Sequence, residues 1–391
     1  MHNSYKWVIL VVSFLMMMGF ALSLQVLPPL FDLIIKDVYF TNSQAGTLMG
    51  AFAIPGVFLP FLVAHLANWY PIKRMILVAL IVMIAGLTAF PTAQSFSLLL
   101  IYRLITGVGA TVLVVLAPLL ITMYFDQKNI GIAMGIFNIA VPAGTVLAAN
   151  IFGFLGELVG WKTILVGVAG YLGILLVLVF FALSLSNNQA RDNSKTSEPE
   201  STRKFSGSLN LWLLGAIWAL ANVQNLGYMT FGSQFYQSLG MAVPQAGFLT
   251  SLIMFVSIFV SPLIGLIFDK TGHKKPFLLI GSIITLISFI FIAKNFLYLP
   301  LWATALGIGF APIPIFIFAY LPETVKPHQV GMGLGLLTVS SNLGTTLGPT
   351  VIGSILDQTN GDFTIAIMVL AIVSIAIILI SLLLKPKAKE S

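Results

Sequence analysis

Residues 186–208 read SNNQARDNSKTSEPESTRKFSGS, and no other stretch of the 391-residue chain stays polar for so long. Ser, Asn, Lys and Glu at this density bury too little apolar surface to fold alone, so the segment reads as a flexible linker. On either side of it the composition inverts. The chain is 58% hydrophobic and 8% charged, with a mean hydropathy of +1.03. A soluble domain carries about 25% charged residues, so a water-soluble globule is excluded. The lack of Cys removes disulfide scaffolds, thiolate metal sites and thiol nucleophiles.

A bilayer requires about 20 apolar residues per spanning helix. Runs bounded by charges, Pro or Asn give twelve spans, at about 7–30, 44–66, 75–93, 97–122, 130–155, 162–185, 210–232, 245–267, 276–293, 298–320, 330–356 and 363–384. The run from Trp7 is too long for a secretory h-region and reads as the first membrane helix of the mature protein. The linker thus separates an N-terminal six-helix bundle, residues 1–185, from a C-terminal one, residues 210–391, with residues 186–209 between them. An even number of spans puts both termini on one side. If that side is the cytoplasm, 15 of 19 Lys and Arg lie inside and only Lys36, Lys162 and Lys294 lie in outer loops. The positive-inside rule therefore predicts cytoplasmic termini in the cytoplasmic (inner) membrane.

The two bundles are copies of one plan. Gln44-Ala45-Gly46-x-Leu48 returns as Gln245-Ala246-Gly247-x-Leu249. The same offset of 201 carries Asn68-Trp69-Tyr70-Pro71-Ile72-Lys73-Arg74 onto Asp269-Lys270-Thr271-Gly272-His273-Lys274-Lys275. At an offset of 200, Gly131, Gly135, Gly144, Thr145 and Gly153 return as Gly331, Gly335, Gly344, Thr345 and Gly353. Span five corresponds to span eleven, as two parallel repeats require.

With this repeat and the motif Gly265-Leu-Ile-Phe-Asp269-Lys-Thr-Gly272-His-Lys274-Lys275, the whole chain resembles the major facilitator superfamily. The resemblance implies an all-α integral membrane fold of twelve transmembrane helices in two parallel six-helix repeats. It also implies alternating access, with spans one, four, seven and ten lining a central cavity. The motif loop is implied to be a cytoplasmic gate involving Gly265, Asp269, Gly272, Lys274 and Lys275. Asn68 and Arg74 stand at matching places in a degenerate N-terminal copy, where Pro71 replaces the turn glycine. The competing reading is a solvated topogenic loop.

On this span map all twelve acids lie in loops or at helix ends, and Arg103 is the only cation inside a span. An intramembrane charge is costly and by default marks function. Two roles compete for Arg103: counter-charge for an anionic substrate, or a structural Arg bonded to carbonyls and hydroxyls of span one. Asp32, just past Pro28-Pro29, is the candidate for proton coupling by elimination, against a plain packing role. Span seven sets Trp218, Asn222, Asn225 and Met229 at i, i+4, i+7 and i+11, one helical face, with Gln224 and Tyr228 on another. Buried amides need partners, from neighbouring helices or from a ligand. Gln25 and Asn138 lie at similar depth and join Trp218, Asn222, Asn225, Tyr228 and Arg103 as candidate substrate contacts.

The expected function is a secondary active or facilitative transporter for a small solute, a small organic or inorganic anion or metabolite being favoured. A multidrug exporter is the alternative. The expected partners are substrate, lipid bilayer and protons or a counter-ion, with no nucleic acid, cofactor or metal, for a monomeric protein. An enzyme is not expected. Intramembrane hydrolases and metal sites need acids or His within spans, and a nucleotide-driven pump needs a phosphate-binding Gly-Lys loop.

Overall fold

An α-helix draws each backbone hydrogen bond from the N–H four residues ahead, and proline has none to give. The computed structural model follows this rule at four places. It describes residues 2–126, 129–184, 208–271, 274–295, 298–325 and 329–384. Span one consists of α1 (His2–Gln25), a 3-10 turn at Pro28–Leu30 and α2 (Phe31–Val38). Span two breaks at Pro55 into α3 (Asn42–Ala53) and α4 (Pro55–Leu66). Spans three and four are α5 (Ile72–Ala89) and the unbroken α6 (Phe96–Tyr124). Span five divides into α7 (Ile130–Asn138) and α8 (Ala140–Val159), because Pro142 cannot answer the Asn138 carbonyl. Span six is α9 (Trp161–Ser184).

The second repeat comprises α10 (Leu209–Ser238), α11 (Val243–Thr271), α12 (Lys274–Ala293), α13 (Leu299–Phe310), α14 (Pro312–Thr324), α15 (Val330–Gln358) and α16 (Phe363–Leu383). Pro312 divides span ten into α13 and α14. Ten of the twelve stretches are long and apolar enough to cross a membrane. The other two, α10 and α15, have 30 and 29 residues but carry many amides, hydroxyls and glycines. Their length fits a bilayer, and their polarity marks where the protein departs from simple lipid-facing chemistry.

The chain forms two compact units. The first holds residues 1–38 and 51–204, and the second holds 39–50 and 205–391. Tyr39–Gly50, the start of span two, groups with the second unit. The linker from 186 to 207 lies outside the described residues.

In unit 1, the Asp37 carboxylate accepts from the Trp161 indole N–H at 3.1 Å and pairs with Lys162 at 3.3 Å, which ties α2 to α9. At the other end of α9, Lys73 donates to the Ser184 hydroxyl and lies 4.5 Å from the centre of the Phe180 ring. In unit 2, α10 packs against α15 along glycines. A methyl group at Gly344 or Gly348 would strike the carbonyls of Ala219 or Val223. Gln224 adds a tie to α16, donating to the Leu370 carbonyl at 2.7 Å and the Ser374 hydroxyl at 2.6 Å.

Candidate functional site

Arg103 comes from the N-terminal third of α6 and is 1% exposed. Its two terminal nitrogens donate to the carbonyls of Ser23 at 2.7 Å and Leu24 at 2.6 Å, and its guanidinium lies 4.5 Å from the centre of the Phe52 ring. These are the last turns of α1. The Leu24 carbonyl would normally accept from residue 28, which is Pro28, so the arginine supplies the donor that the backbone lacks. A planar fork suits this task because it can serve two carbonyls at once. Of the two roles open to Arg103, the carbonyl-bound one matches this geometry. Gln25, 4% exposed, closes α1 directly beside this clamp.

The other candidates of unit 1 are dispersed. Asp32 is half-buried in the first turn of α2, and Asn138 is exposed at the α7–α8 break. Asn68 and Arg74 are exposed near the α4–α5 turn.

In unit 2, α10 gathers the polar candidates. Trp218 and Asn222 are half-buried. The Asn222 amide donates to the Trp218 carbonyl at 2.7 Å, and the Trp218 ring meets Phe318 edge-on, with centroids 5.8 Å apart. One turn on, Asn225 is 7% exposed, and its side-chain Nδ2 has no hydrogen-bond partner. The Oε1 of Gln224 is likewise unanswered, although its Nε2 is bonded. A buried amide left unpaired costs about 1–3 kcal/mol, so an unanswered pair of atoms on one helix calls for a donor and an acceptor from elsewhere.

Tyr228 corrects the expectation of a cavity-facing side chain. It is fully buried within unit 2, its hydroxyl 3.0 Å from that of Tyr236 and its ring edge-on to Phe289 of α12. The helical wheel put it on a second face of α10, and that face is sealed by α11 and α12.

The expected gate residues fall into three groups. Gly272 lies outside the described residues, as does the side chain of Asp269, although Asp269 itself is helical. Gly265 faces open space: beyond its own helix backbone and chain neighbours, nothing among the described residues lies within 4 Å of where a Cβ would sit. Lys274 and Lys275 are engaged inside unit 2. Lys274 pairs with Glu323 at 2.7 Å and donates to the Ala319 carbonyl at 2.9 Å, both near the end of α14. Lys275 donates to the carbonyls of Leu382 at 3.1 Å and Leu384 at 2.8 Å, closing the end of α16. Cations suit helix C-termini, where carbonyls lack intrahelical partners.

Sequence reasoning passed over Asp357, at the end of α15. Its carboxylate accepts from the backbone N–H of Asn42 at 2.9 Å, the Asn42 side chain at 3.1 Å and the backbone N–H of Ser43 at 2.8 Å. Part of this arrangement was legible. Thr41-x-x-Gln44 is a capping box, with Gln44 Oε1 accepting from Thr41 N–H at 3.0 Å and Thr41 Oγ1 from Gln44 N–H at 3.2 Å. The carboxylate more than 300 positions away was not.

Two units of membrane-length helices, broken at prolines and carrying buried polar side chains, define a multi-pass membrane transporter. The family model of the Major Facilitator Superfamily matches residues 9–236 and 213–391, and the chain belongs to that family. It is 23% identical over 370 residues to a lysosomal dipeptide transporter, MFSD1, of Danio rerio, covering 90% of this chain and 80% of the relative. Among solved structures it is similar to a bacterial homologue of the human lysosomal transporter Spinster, with a TM-score of 0.79, 17% identity and 98% and 97% of the two chains covered. A point mutant of the nucleoside transporter NupG superposes with a TM-score of 0.77 at 16% identity, covering 98% and 100%. The protein is a small-solute transporter and not an enzyme.

Proposed function

We propose that the protein moves a small, polar, hydrogen-bonding solute across the cytoplasmic membrane by alternating access, with both termini in the cytoplasm. The observation that carries this reading is Asn225: a buried amide with a free N–H pair, one turn from Asn222 and two turns from Trp218 on the same face of α10. A substrate carbonyl or carboxylate oxygen supplies the acceptor it lacks. An aromatic ring one or two turns away supplies an apolar wall, as small-molecule sites commonly do. The segregation of 15 of 19 cations to one side of the span map supports the orientation.

The sequence alone favoured a small organic or inorganic anion or metabolite, from the resemblance of spans one to five, with Arg103 open to either an anion-binding or a structural role. With two of its donors on α1 carbonyls, Arg103 is assigned here to holding the helix break, and the amide face carries recognition instead. Solutes rich in amide and carbonyl groups fit such a face, and the similar proteins named above include a dipeptide and a nucleoside transporter. Coupling through Asp32 and a monomeric state complete the proposal.

A thermal-shift screen of the purified protein with dipeptides, nucleosides, monocarboxylates, inorganic anions and lipophilic cations tests it, because a ligand of the native state raises the unfolding temperature. Dipeptides or nucleosides are expected to stabilise the wild type and to lose that effect in Asn225→Leu. Stabilisation by lipophilic cations alone would establish the drug-exporter reading in its place.

A further inference from the structure

The two repeats use one pair of cations differently. At the offset of 201, Lys73 and Arg74 of α5 correspond to Lys274 and Lys275 of α12. In unit 2 both lysines are engaged: Lys274 with Glu323 and the Ala319 carbonyl, Lys275 with the carbonyls that end α16. In unit 1 the pair is open. Lys73 directs its ammonium to the Ser184 hydroxyl and the Phe180 ring, which leaves it two further donors. Arg74 is exposed. Among the described residues the ion pairs are Lys162–Asp37 and Lys274–Glu323, so no carboxylate there neutralises Lys73 or Arg74. The first turn of α5 holds no acid, and a helix N-terminus adds positive potential of its own.

Beneath this charge runs an apolar groove. Leu77 and Ile81 of α5 and Leu176, Val177, Phe180 and Phe181 of α9 enclose about 290 Å³ on the flank of unit 1. Leu77 lies four residues from Lys73 and three from Arg74, and Ile81 a turn further, so the cations and the groove share one face of α5. From Lys73 to Ile81 the helix rises about 12 Å, close to the depth of one leaflet, about 15 Å. Ile81, Val177, Phe180 and Phe181 are each half or more exposed. In a membrane such a face meets lipid.

We propose that this groove is a binding site for an anionic phospholipid, with one acyl chain lying between α5 and α9 and the phosphate resting on Lys73 and Arg74. Both side chains give a phosphate charge-assisted hydrogen bonds, and a Lys or Arg near a membrane surface favours anionic over neutral lipid by about fivefold. A second groove on the same helix shows what the open cations add. Towards the other end of α9, Thr163, Gly167 and Tyr171 help to line about 280 Å³ facing α8. Lys162, next to it in sequence, is paired with Asp37, so that groove has no such open cation pair to offer a headgroup. In the orientation proposed above, the α5–α9 site lies in the cytoplasmic leaflet.

The purified full-length protein in a neutral detergent, titrated with phosphatidylglycerol or with phosphatidylcholine of the same acyl chains, tests the site through the unfolding temperature. Phosphatidylglycerol is expected to half-saturate the rise at a concentration at least about tenfold lower. Lys73→Gln combined with Arg74→Gln is expected to abolish that preference. Ile81→Trp, which fills the groove and leaves both cations, is expected to abolish it as well, and keeps the test decisive should the double variant not fold. Lys162→Gln is expected to keep the preference, and glycerol phosphate, the headgroup without chains, to give no rise. Equal responses of the wild type to the two lipids would overturn the site. So would a preference that survives in the double variant or in Ile81→Trp, one that is lost in Lys162→Gln, or a rise with glycerol phosphate that matches the lipid. The measurement needs no transported solute, so it succeeds or fails independently of the ligand screen that tests the transport reading.

Discussion

The two units treat buried polarity in opposite ways. Unit 1 sinks a full positive charge, Arg103, and answers it with the carbonyls of Ser23 and Leu24. Unit 2 sinks neutral amides, among them Asn225 and Gln224, whose Nδ2 and Oε1 have no partner, whereas among the described residues of unit 1 the buried atom of this kind is the neutral Ser13 hydroxyl. The costlier group is satisfied and the cheaper ones are not. Cost of burial therefore does not identify the site by itself. A charge whose donors are used within the protein acts as structure, and an amide with an unused donor is available to a ligand.

This contrast breaks first at Arg103, where the largest effect is expected. Arg103→Leu leaves the Leu24 carbonyl without a donor in a proline-terminated helix and should destabilise the protein by about 3–5 kcal/mol, read as a lowered unfolding temperature in detergent. Arg103→Lys should recover only part of this, since an ammonium cannot fork across two carbonyls. If Arg103→Lys folds as the wild type does and loses only ligand binding, the structural role fails and the anion role returns.

Asn225→Leu should do the reverse: little or no loss of unfolding temperature, with ligand affinity lowered about tenfold or more, the equivalent of one hydrogen bond to a buried group. Isothermal titration with whichever ligand class stabilises the wild type provides the measurement. A smaller effect is expected from Glu323→Gln, because the pair with Lys274 is partly exposed, with side-chain accessibilities of 24% and 36%. The loss should be about 0.5–1 kcal/mol, and a larger one would mean that the α12–α14 tie does more than close a helix end.

The smallest expected effect is none. A carboxyl whose folded pKa is depressed contributes stability above its unfolded pKa and loses it as pH falls through the folded value. Asp357 is such a group: burial by itself would raise its carboxyl, but the hydrogen bonds from Ser43, Thr41 and Asn42 outweigh that. Labelling of Ser354→Cys, beside Ser43, by a thiol reagent reads the contact. Divided at each pH by the rate of a free thiol to remove the change in thiolate fraction, it should stay level from neutral pH down to the ordinary carboxylate range and rise only below it. A rise near neutral pH would mean that another titrating group controls the contact.

Much of this could be read from residues alone because membrane folding makes local demands. Apolar length sets the spans, while prolines do not by themselves place the breaks: Pro28, Pro55, Pro142 and Pro312 stand at them, but Pro118 lies inside the unbroken α6. The Trp218–Asn222–Asn225 face follows from helical periodicity. Periodicity could not tell that the face bearing Tyr228 would be sealed by Tyr236, Leu249 and Phe289, because which helices cover a face is settled between segments far apart in the chain.

The sequence by itself determined the fold class, the two-fold repeat and the candidate polar positions. The spans and polar positions depend on composition and spacing within about 30 residues of chain, the length of one bilayer-spanning helix, and the repeat on the likeness of such stretches about 200 residues apart. Tertiary structure alone decided which partners those positions meet. It showed Arg103 meeting the carbonyls beside Pro28, Lys274 and Lys275 closing helices of their own unit, Asn225 keeping a free donor, and Asp357 reaching α3 across 315 positions. A hydrogen bond counts by whether its partner arrives, and arrival is a property of the fold.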